Sequence, residues 1–299
     1  MTPTSPMVSV IIPAYKAMDC LPDCLQGLAE QNYPFGQFEV IVVDNGDNDD
    51  IEKLLDLYPW LKIVTEDRPG SYVSRNTGFR HATGDVIVFT DADCLPTPDF
   101  LQAGISELQA DPECGLVAGH VELQSLDPSR PTAIELYELT FNFMQSKYIS
   151  EVKCASTANV FTYATAMRES GGFDERLKST GDFEWSHRVA GLGYRLNYCA
   201  DAVVCHPTRR SWQAFSKRLR RIAGGQHDSA VIAGQAWRGF LHRLLHALVP
   251  VFKTMHIVRS SKLNLMQKIQ VFAIMNLANL VEQRERMLLI FLKKDSQRS

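Results

Sequence analysis

The sequence predicts an α/β protein: a mostly parallel sheet with helices on both faces, followed by a helical C-terminal extension. Three observations carry this expectation. Apolar, β-branched runs alternate with helix-patterned segments over the first ninety or so residues. Three of those runs end in polar residues, at Pro13-Ala14-Tyr15, Asp44-Asn45 and Asp91-Ala92-Asp93. The charge is also divided. Residues 1–202 carry 14 Lys+Arg against 30 Asp+Glu, a net of -16, and residues 203–299 carry 17 against 4, a net of +13. The chain's net charge of -3 hides two regions that should face different partners.

The elements follow in order. "VSVII" (8–12) reads as a buried strand. Residues 19–30 carry a helical pattern with Leu21, Cys24, Leu25 and Leu28 on one face. "EVIVVD" (39–44) is a second strand, and "DIEKLLDLY" (50–58) a short helix whose acidic start suits the helix dipole. "LKIVT" (61–65), a helix over 71–83 closed by Gly84, and "DVIVFTD" (85–91) complete the alternation. A helix over 98–110 opens with Pro98 and Asp99. A strand is expected near 115–122 and one helix over 132–150, whose Tyr137, Phe141, Phe143, Met144 and Tyr148 read first as packing residues. A helix near 182–191 and a strand over 201–207 ending in His206 come next. Residues 211–227 and 236–293 read as helices with basic residues among apolar ones. This divides the chain into a domain over 1–207 and an extension over 208–299.

In parallel α/β sheets, ligands bind at the carboxyl ends of the strands. Asp91 and Asp93 stand there, two residues apart, after a buried run. Their charges repel and burial penalises both, and a divalent cation relieves both costs. Hard oxygen ligands suit Mg²⁺ or Mn²⁺, usually shared with a substrate's phosphates. Taken alone, the pair reads first as a solvated acidic turn capping the 98–110 helix.

Four motifs in sequence narrow the choice. "VSVIIPAYKAMDCLPDCLQGLAEQNYP", "EVIVVDNGDND", "RPGSYVSRNTGFRHATGDVIVFTDAD" and "SGGFDERLKSTGDFEWSHRVAGLGYRL" resemble, in this order, the motifs of the inverting GT-A glycosyltransferases of family 2. The resemblance covers about residues 7–206. It implies a GT-A (nucleotide-diphospho-sugar transferase, Rossmann-like) fold and metal-dependent transfer of a sugar from a nucleotide-diphosphate donor, with UDP expected, to a hydroxyl of a glycan or lipid-linked acceptor. It also implies roles by position. Pro13, Ala14 and Tyr15 would line the nucleotide pocket, and Asp44 would bind the base. Arg75 would contact the nucleotide, Asp91 the ribose or metal, and Asp93 would ligate Mg²⁺ or Mn²⁺. Asp182 would be the catalytic base, with Glu184 as fallback and a helix N-cap as the structural alternative. His206 would bind the metal or the diphosphate, with a structural histidine as the alternative. Arg209 and Arg210, just beyond the resemblance, read as a clasp for the diphosphate or as a solvated basic turn. Two positions depart from the family pattern: Lys16 stands where Asn is common, and Gly181 where Glu is common. A GT-A-like nucleotidyltransferase, which would release pyrophosphate, and a non-catalytic nucleotide-sugar-binding module are the competing readings.

The basic, aromatic-containing tail suits either an anionic membrane surface or packing on the chain's own helices or another subunit. Without an accompanying nucleic-acid module, its charge does not point to nucleic acid. No run of about 18 apolar residues is present, so no ordinary spanning helix is expected. The N-terminus lacks the basic and apolar regions of a signal peptide. The seven scattered cysteines lack zinc-ligand spacing and read as reduced thiols. The expected location is the cytoplasm, with a peripheral position at the inner face of the cytoplasmic membrane as the tail's further implication.

Overall fold

A computed structural model of the chain describes residues 5–46, 48–58, 60–236, 251–292 and 296. They form two compact units. The first gathers the chain through Glu122 with Phe143–Glu175 and Asp182–His206, and the second gathers Leu123–Asn142, Arg176–Gly181 and the chain from Pro207 onward.

The first unit is built on a sheet of strands β1 (Val8–Ala14), β2 (Phe38–Asp44), β3 (Leu61–Thr65), β4 (Val86–Thr90), β5 (Leu95–Pro96), β6 (Cys114–Gln124), β7 (Asn159–Tyr163) and β8 (Arg195–Pro207), in the order β3-β2-β1-β4-β7-β6-β8-β5. The first four are parallel neighbours. β7 then pairs antiparallel with β4, and β6 antiparallel with β7. Because β1, β2 and β4 point the same way, Ala14, Asp44 and Thr90 all lie at one edge of the sheet. Each of these strands is almost fully buried, as continuous apolar runs in doubly covered sheets should be.

Helix α1 (Leu21–Ala29) buries Leu21, Cys24, Leu25 and Leu28, the face its spacing predicts. The short α2 (Leu54–Leu57) follows a 3-10 turn at Ile51–Lys53. Helix α3 (Ser71–His81) packs on β1 and β2. Gly78 permits its close approach, since a Cβ there would lie 2.4 Å from Ile11 Cγ2. Helix α4 (Phe100–Ala110) covers Phe161 of β7 with Phe100, their rings 5.0 Å apart.

Three expectations change. The 132–150 helix is broken: α5 (Ala133–Phe141) stops at Asn142 in extended conformation, and Phe143 takes the left-handed φ of 49°, which a helix cannot pass through. The short α6 (Gln145–Lys147) and a π-turn at Tyr148–Val152 follow, with buried Gln145 tying the break to the Ser156 and Asn159 carbonyls. Strand β7 is new, and it leads into α7 (Ala164–Glu169). Its Asn159 and Thr162 are buried: the Asn159 amide nitrogen donates to the His120 and Ala202 carbonyls and the Thr162 hydroxyl to that of Gly115, while Asn159 Oδ1 has no partner among the described residues. The single 236–293 helix becomes two, Val251–Arg259 and Leu265–Phe291. The second begins with a capping box in which Asn264 and Gln267 satisfy each other's backbone amides. Residues 237–250 of that expectation lie outside the described residues.

In the first unit, α8 (Gly181–Gly191) follows a loop and precedes β8. In the second unit, α5, α9 (Trp212–Ile232) and the two last helices share a core of Ile134, Tyr137, Phe215, Leu219, Ile257 and Met275, among others.

Candidate functional site

The ends of β1 and β2 are joined by one side chain. Asn48 is buried; its Nδ2 donates to the Ala14 carbonyl at 3.0 Å and to Asp44 Oδ1 at 2.7 Å, and its Oδ1 accepts from the Ala17 amide. Asp44 Oδ1 also accepts from the Gly46 amide at 2.9 Å. Among the described residues both donors therefore reach Oδ1, and Oδ2 takes none. Asn45 holds the next loop, donating to the Glu66 and Arg68 carbonyls and accepting from Gly70 at the head of α3. Ala14 is buried, Pro13 half-buried and Tyr15 exposed. Lys16, in the family's usual Asn position, adopts a left-handed φ of 50°. Asn accepts that region more readily than Lys, which gives the common Asn a backbone reason.

Arg75 is 4% exposed, and its guanidinium bonds Asp91 Oδ1 at 2.5 Å. One guanidinium nitrogen is thus engaged by a carboxylate, and Nε is buried without a partner among the described residues. One turn earlier on the same helix face, the Tyr72 hydroxyl donates to Asp182 Oδ1 at 3.1 Å. Tyr72 stacks on Phe173, which packs against Phe89 and Trp185, so an aromatic cluster supports both the hydroxyl and the start of α8.

Asp182 lies in the first turn of α8 rather than at its N-cap, and it is half-buried. Desolvation raises its pKa above the usual aspartate value, against the opposing pull of Arg75, the Tyr72 hydroxyl and the Phe183 and Thr157 amides. Glu184, the fallback base, is spent instead on a bidentate bond to Arg188, whose guanidinium also bonds the Ser170 and Gly172 carbonyls.

Asp93 and His206, far apart in sequence, meet with Oδ2 and Nε2 3.5 Å apart. Asp93 is partly open to solvent, whereas His206 is buried, its ring 4.8 Å from that of Phe143. Cys94 joins them: its sulfur and one ligand atom from each neighbour lie within 4.8 Å of one another. Asp93 and His206 bring a partly exposed carboxylate and a buried imidazole nitrogen to one point, with the Cys94 sulfur beside them, a donor set that fits a divalent cation.

Arg209 and Arg210 have carboxylate partners of their own. Within the second unit, Arg209 bonds the buried Glu138 through its backbone amide and its guanidinium, and Arg210 lies 3.6 Å from the equally buried Glu135. Asn48, Tyr72, Cys94 and Phe143 went unread as contributors. Of these, Tyr72 alone had a usable signal, its i, i+3 spacing from Arg75.

Comparison with known proteins adds the family context. The family described as Glycosyl transferase family 2 matches residues 9–170. Glycosyltransferase AglE of Haloferax volcanii is 36% identical over 231 residues, which span 76% of this chain and 75% of that protein. The dolichyl N-acetyl-alpha-D-glucosaminyl phosphate 3-beta-D-2,3-diacetamido-2,3-dideoxy-beta-D-glucuronosyltransferase of Methanococcus voltae is 25% identical over 224 residues, 71% of this chain and 70% of its own length. Among solved structures, mannosyltransferase PcManGT from Pyrobaculum calidifontis, in complex with GDP-Man and Mn²⁺, matches with a TM-score of 0.68 at 22% identity, over 98% of this chain and 89% of that one.

Proposed function

The chain belongs to glycosyl transferase family 2 and is a glycosyltransferase with a GT-A-type sheet and a helical C-terminal extension, and from that premise we propose that it transfers a sugar from a UDP-sugar to an acceptor hydroxyl with inversion at the anomeric carbon. The observation that carries the reading is Asp182, a carboxylate held by Tyr72 in a desolvating setting that raises its pKa. A base tuned upward in this way accepts a proton more readily near neutral pH.

In this reading Asp182 takes the acceptor hydroxyl's proton while the oxygen attacks the anomeric carbon. The bond from that carbon to the diphosphate oxygen breaks, and its electron pair leaves with the nucleoside diphosphate. Attack opposite the leaving group inverts the configuration. Asp93 and His206 would hold Mg²⁺ or Mn²⁺, which when bound offsets the negative charge gathering on the departing diphosphate. Arg75 acts through Asp91, fixing its carboxylate for the ribose or the metal. Pro13, Ala14 and Tyr15 line the nucleotide's place. Asp44 offers one unengaged oxygen, Oδ2, which matches the single N3–H of uracil; the two adjacent donors on guanine's edge would call for both oxygens.

A lipid-linked or glycan acceptor is part of the proposal, supported by the relative whose name specifies a dolichyl-phosphate-linked sugar. The seven thiols, all unpaired, accord with a reducing cytoplasm.

The test is a thermal-shift screen of UDP- and GDP-sugars with and without Mn²⁺, paired with assays for nucleoside diphosphate and pyrophosphate. A ligand at about a hundred times its Kd adds about 2.7 kcal/mol to stability. The expected result is a larger shift with a UDP-sugar than with its GDP counterpart, a further Mn²⁺-dependent part that Asp93→Asn abolishes, and release of nucleoside diphosphate alone. A shift unchanged in Asp93→Asn removes Asp93 from the metal site. A GDP-sugar preference overturns the base assignment, and no release with any donor overturns the transfer reading.

A further inference from the structure

The helix Leu265–Phe291 has two apolar faces. One is buried, with Val271, Met275 and Ala278 in the second unit's core. The other, with Leu265, Ile269, Phe272 and Leu280, is exposed. The neighbouring helix Val251–Arg259 repeats the pattern. Its Ile257 is buried, whereas Val251, Met255 and Val258, spaced i, i+4, i+7, form an exposed stripe beside Phe252, which is 85% exposed. Scattered exposed apolar residues need no explanation, but an exposed apolar stripe on each of two contacting helices does.

The charge around these stripes is one-sided. Residues 229–281 contain six Lys+Arg and no Asp or Glu. Arg259 and Lys262 stand exposed where the chain turns from one helix to the next. No helix among the described residues is long and apolar enough to cross a membrane. A helix of 27 residues extends about 40 Å at 1.5 Å per residue, so it presents a long apolar strip suited to lying along a surface.

We propose that this face of the second unit docks on an anionic lipid bilayer, with Phe252, Val258, Leu265 and Ile269 entering the headgroup–acyl boundary and Arg259 and Lys262 meeting lipid phosphates. Apolar burial and attraction to anionic lipid are the two contributions that hold interfacial helices. A second copy of the chain fits the same face less well, because the exposed Arg259 and Lys262 of both copies would bring like charge to the contact. The proposal uses no residue of the first unit and stands or falls apart from the sugar-transfer reading.

The experiment is sedimentation of the full chain with phosphatidylcholine vesicles, with and without phosphatidylglycerol, in the absence of any nucleotide sugar. Binding is expected only with phosphatidylglycerol and should weaken as salt is raised. The double variant Phe252→Asp/Ile269→Asp should reduce the partition coefficient at least about tenfold, as expected when apolar side chains no longer enter the bilayer. Lys262→Glu should reduce it less and make it less salt-sensitive. Thermal melting and nucleoside diphosphate release should match the unsubstituted protein. If the double variant melts early, Phe252→Ser at its open position carries the same test. Failure of the unsubstituted chain to bind anionic vesicles, or equal binding by variants that melt normally, overturns the proposal. So does a lipid-free dimer in light scattering that Phe252→Ser dissociates, since a second copy would then occupy the face.

Discussion

Two buried carboxylates of the second unit are handled in the opposite way from those at the first unit's candidate site. In the second, Glu135 and Glu138 are almost wholly buried and their oxygens are occupied. Glu135 accepts from the Leu126 and Thr132 amides and from the Thr208 hydroxyl, and Glu138 accepts from Arg209 twice. Burial alone would raise the pKa of Glu135, but the bonds from Thr132 and Leu126, with Arg210, outweigh it and hold it below the usual range. In the first unit, Asp44 keeps one oxygen unengaged, Asp93 stays partly open beside His206, and Asp182 is raised rather than lowered. Saturated carboxylates build structure, and carboxylates with spare capacity are positioned to take a ligand or a proton.

The largest effect that tests this contrast is expected at Asp182. Asp182→Asn should lower kcat by about 10²- to 10⁴-fold, the usual contribution of a general base. It should also raise the melting temperature at neutral pH. A folded-state pKa above the unfolded one means that the protonated carboxyl stabilises the fold. That contribution is fully present below the ordinary aspartate pKa and is lost as pH rises through the raised folded value. Asn carries no charge to desolvate, so its advantage should shrink as pH falls towards about 4. Equal melting temperatures across that range would mean that Asp182 carries no desolvation cost. Glu138→Ala should behave in reverse. Removing one partner of a buried pair costs about 3–5 kcal/mol, because the Arg209 amide and guanidinium lose their acceptor. Chemical denaturation should report that loss, while the affinity of the surviving folded protein for a nucleotide sugar stays unchanged. A large affinity change would return Arg209 to the nucleotide's vicinity.

How much of this was legible in the sequence depends on the range of the interaction. Strands β1 to β4 were readable because each is an apolar β-branched run whose signal is local. The edge where they end was readable too, because parallel strands must finish together. β7 was not, since Asn159 and Thr162 break its apolar pattern and become favourable only through carbonyls on β6 and β8. The break after α5 was hidden for a similar reason: the left-handed turn at Phe143 is held by buried Gln145, whose partners lie eleven and fourteen residues on. Within the site, Asp91 and Asp93 stood out by their spacing and Asp44 by its place at a strand end, and Asp182 came through the family resemblance, but the connections among them were not legible. Asn48 in "DNGDND" looks like any turn residue until the β1 and β2 ends converge on it. Arg209 and Arg210 read as free cations because nothing local pairs them with Glu138 and Glu135 more than seventy residues earlier.

Tyr72→Phe gives the smallest and most discriminating effect. The hydroxyl donates to Asp182 and favours its ionised form, so its loss should push an already raised pKa higher. The acid limb of kcat/KM should therefore move to higher pH. A hydrogen bond to a charged group is worth about 1.5–3 kcal/mol, which sets a loss of roughly tenfold or more at a pH on that limb and little loss on the plateau above it. A purely structural role for Tyr72, through its stacking on Phe173, would lower activity evenly across pH, and Phe preserves that stacking. A limb that stays in place would therefore separate Tyr72 from the protonation of Asp182 and leave the aromatic cluster as its whole contribution.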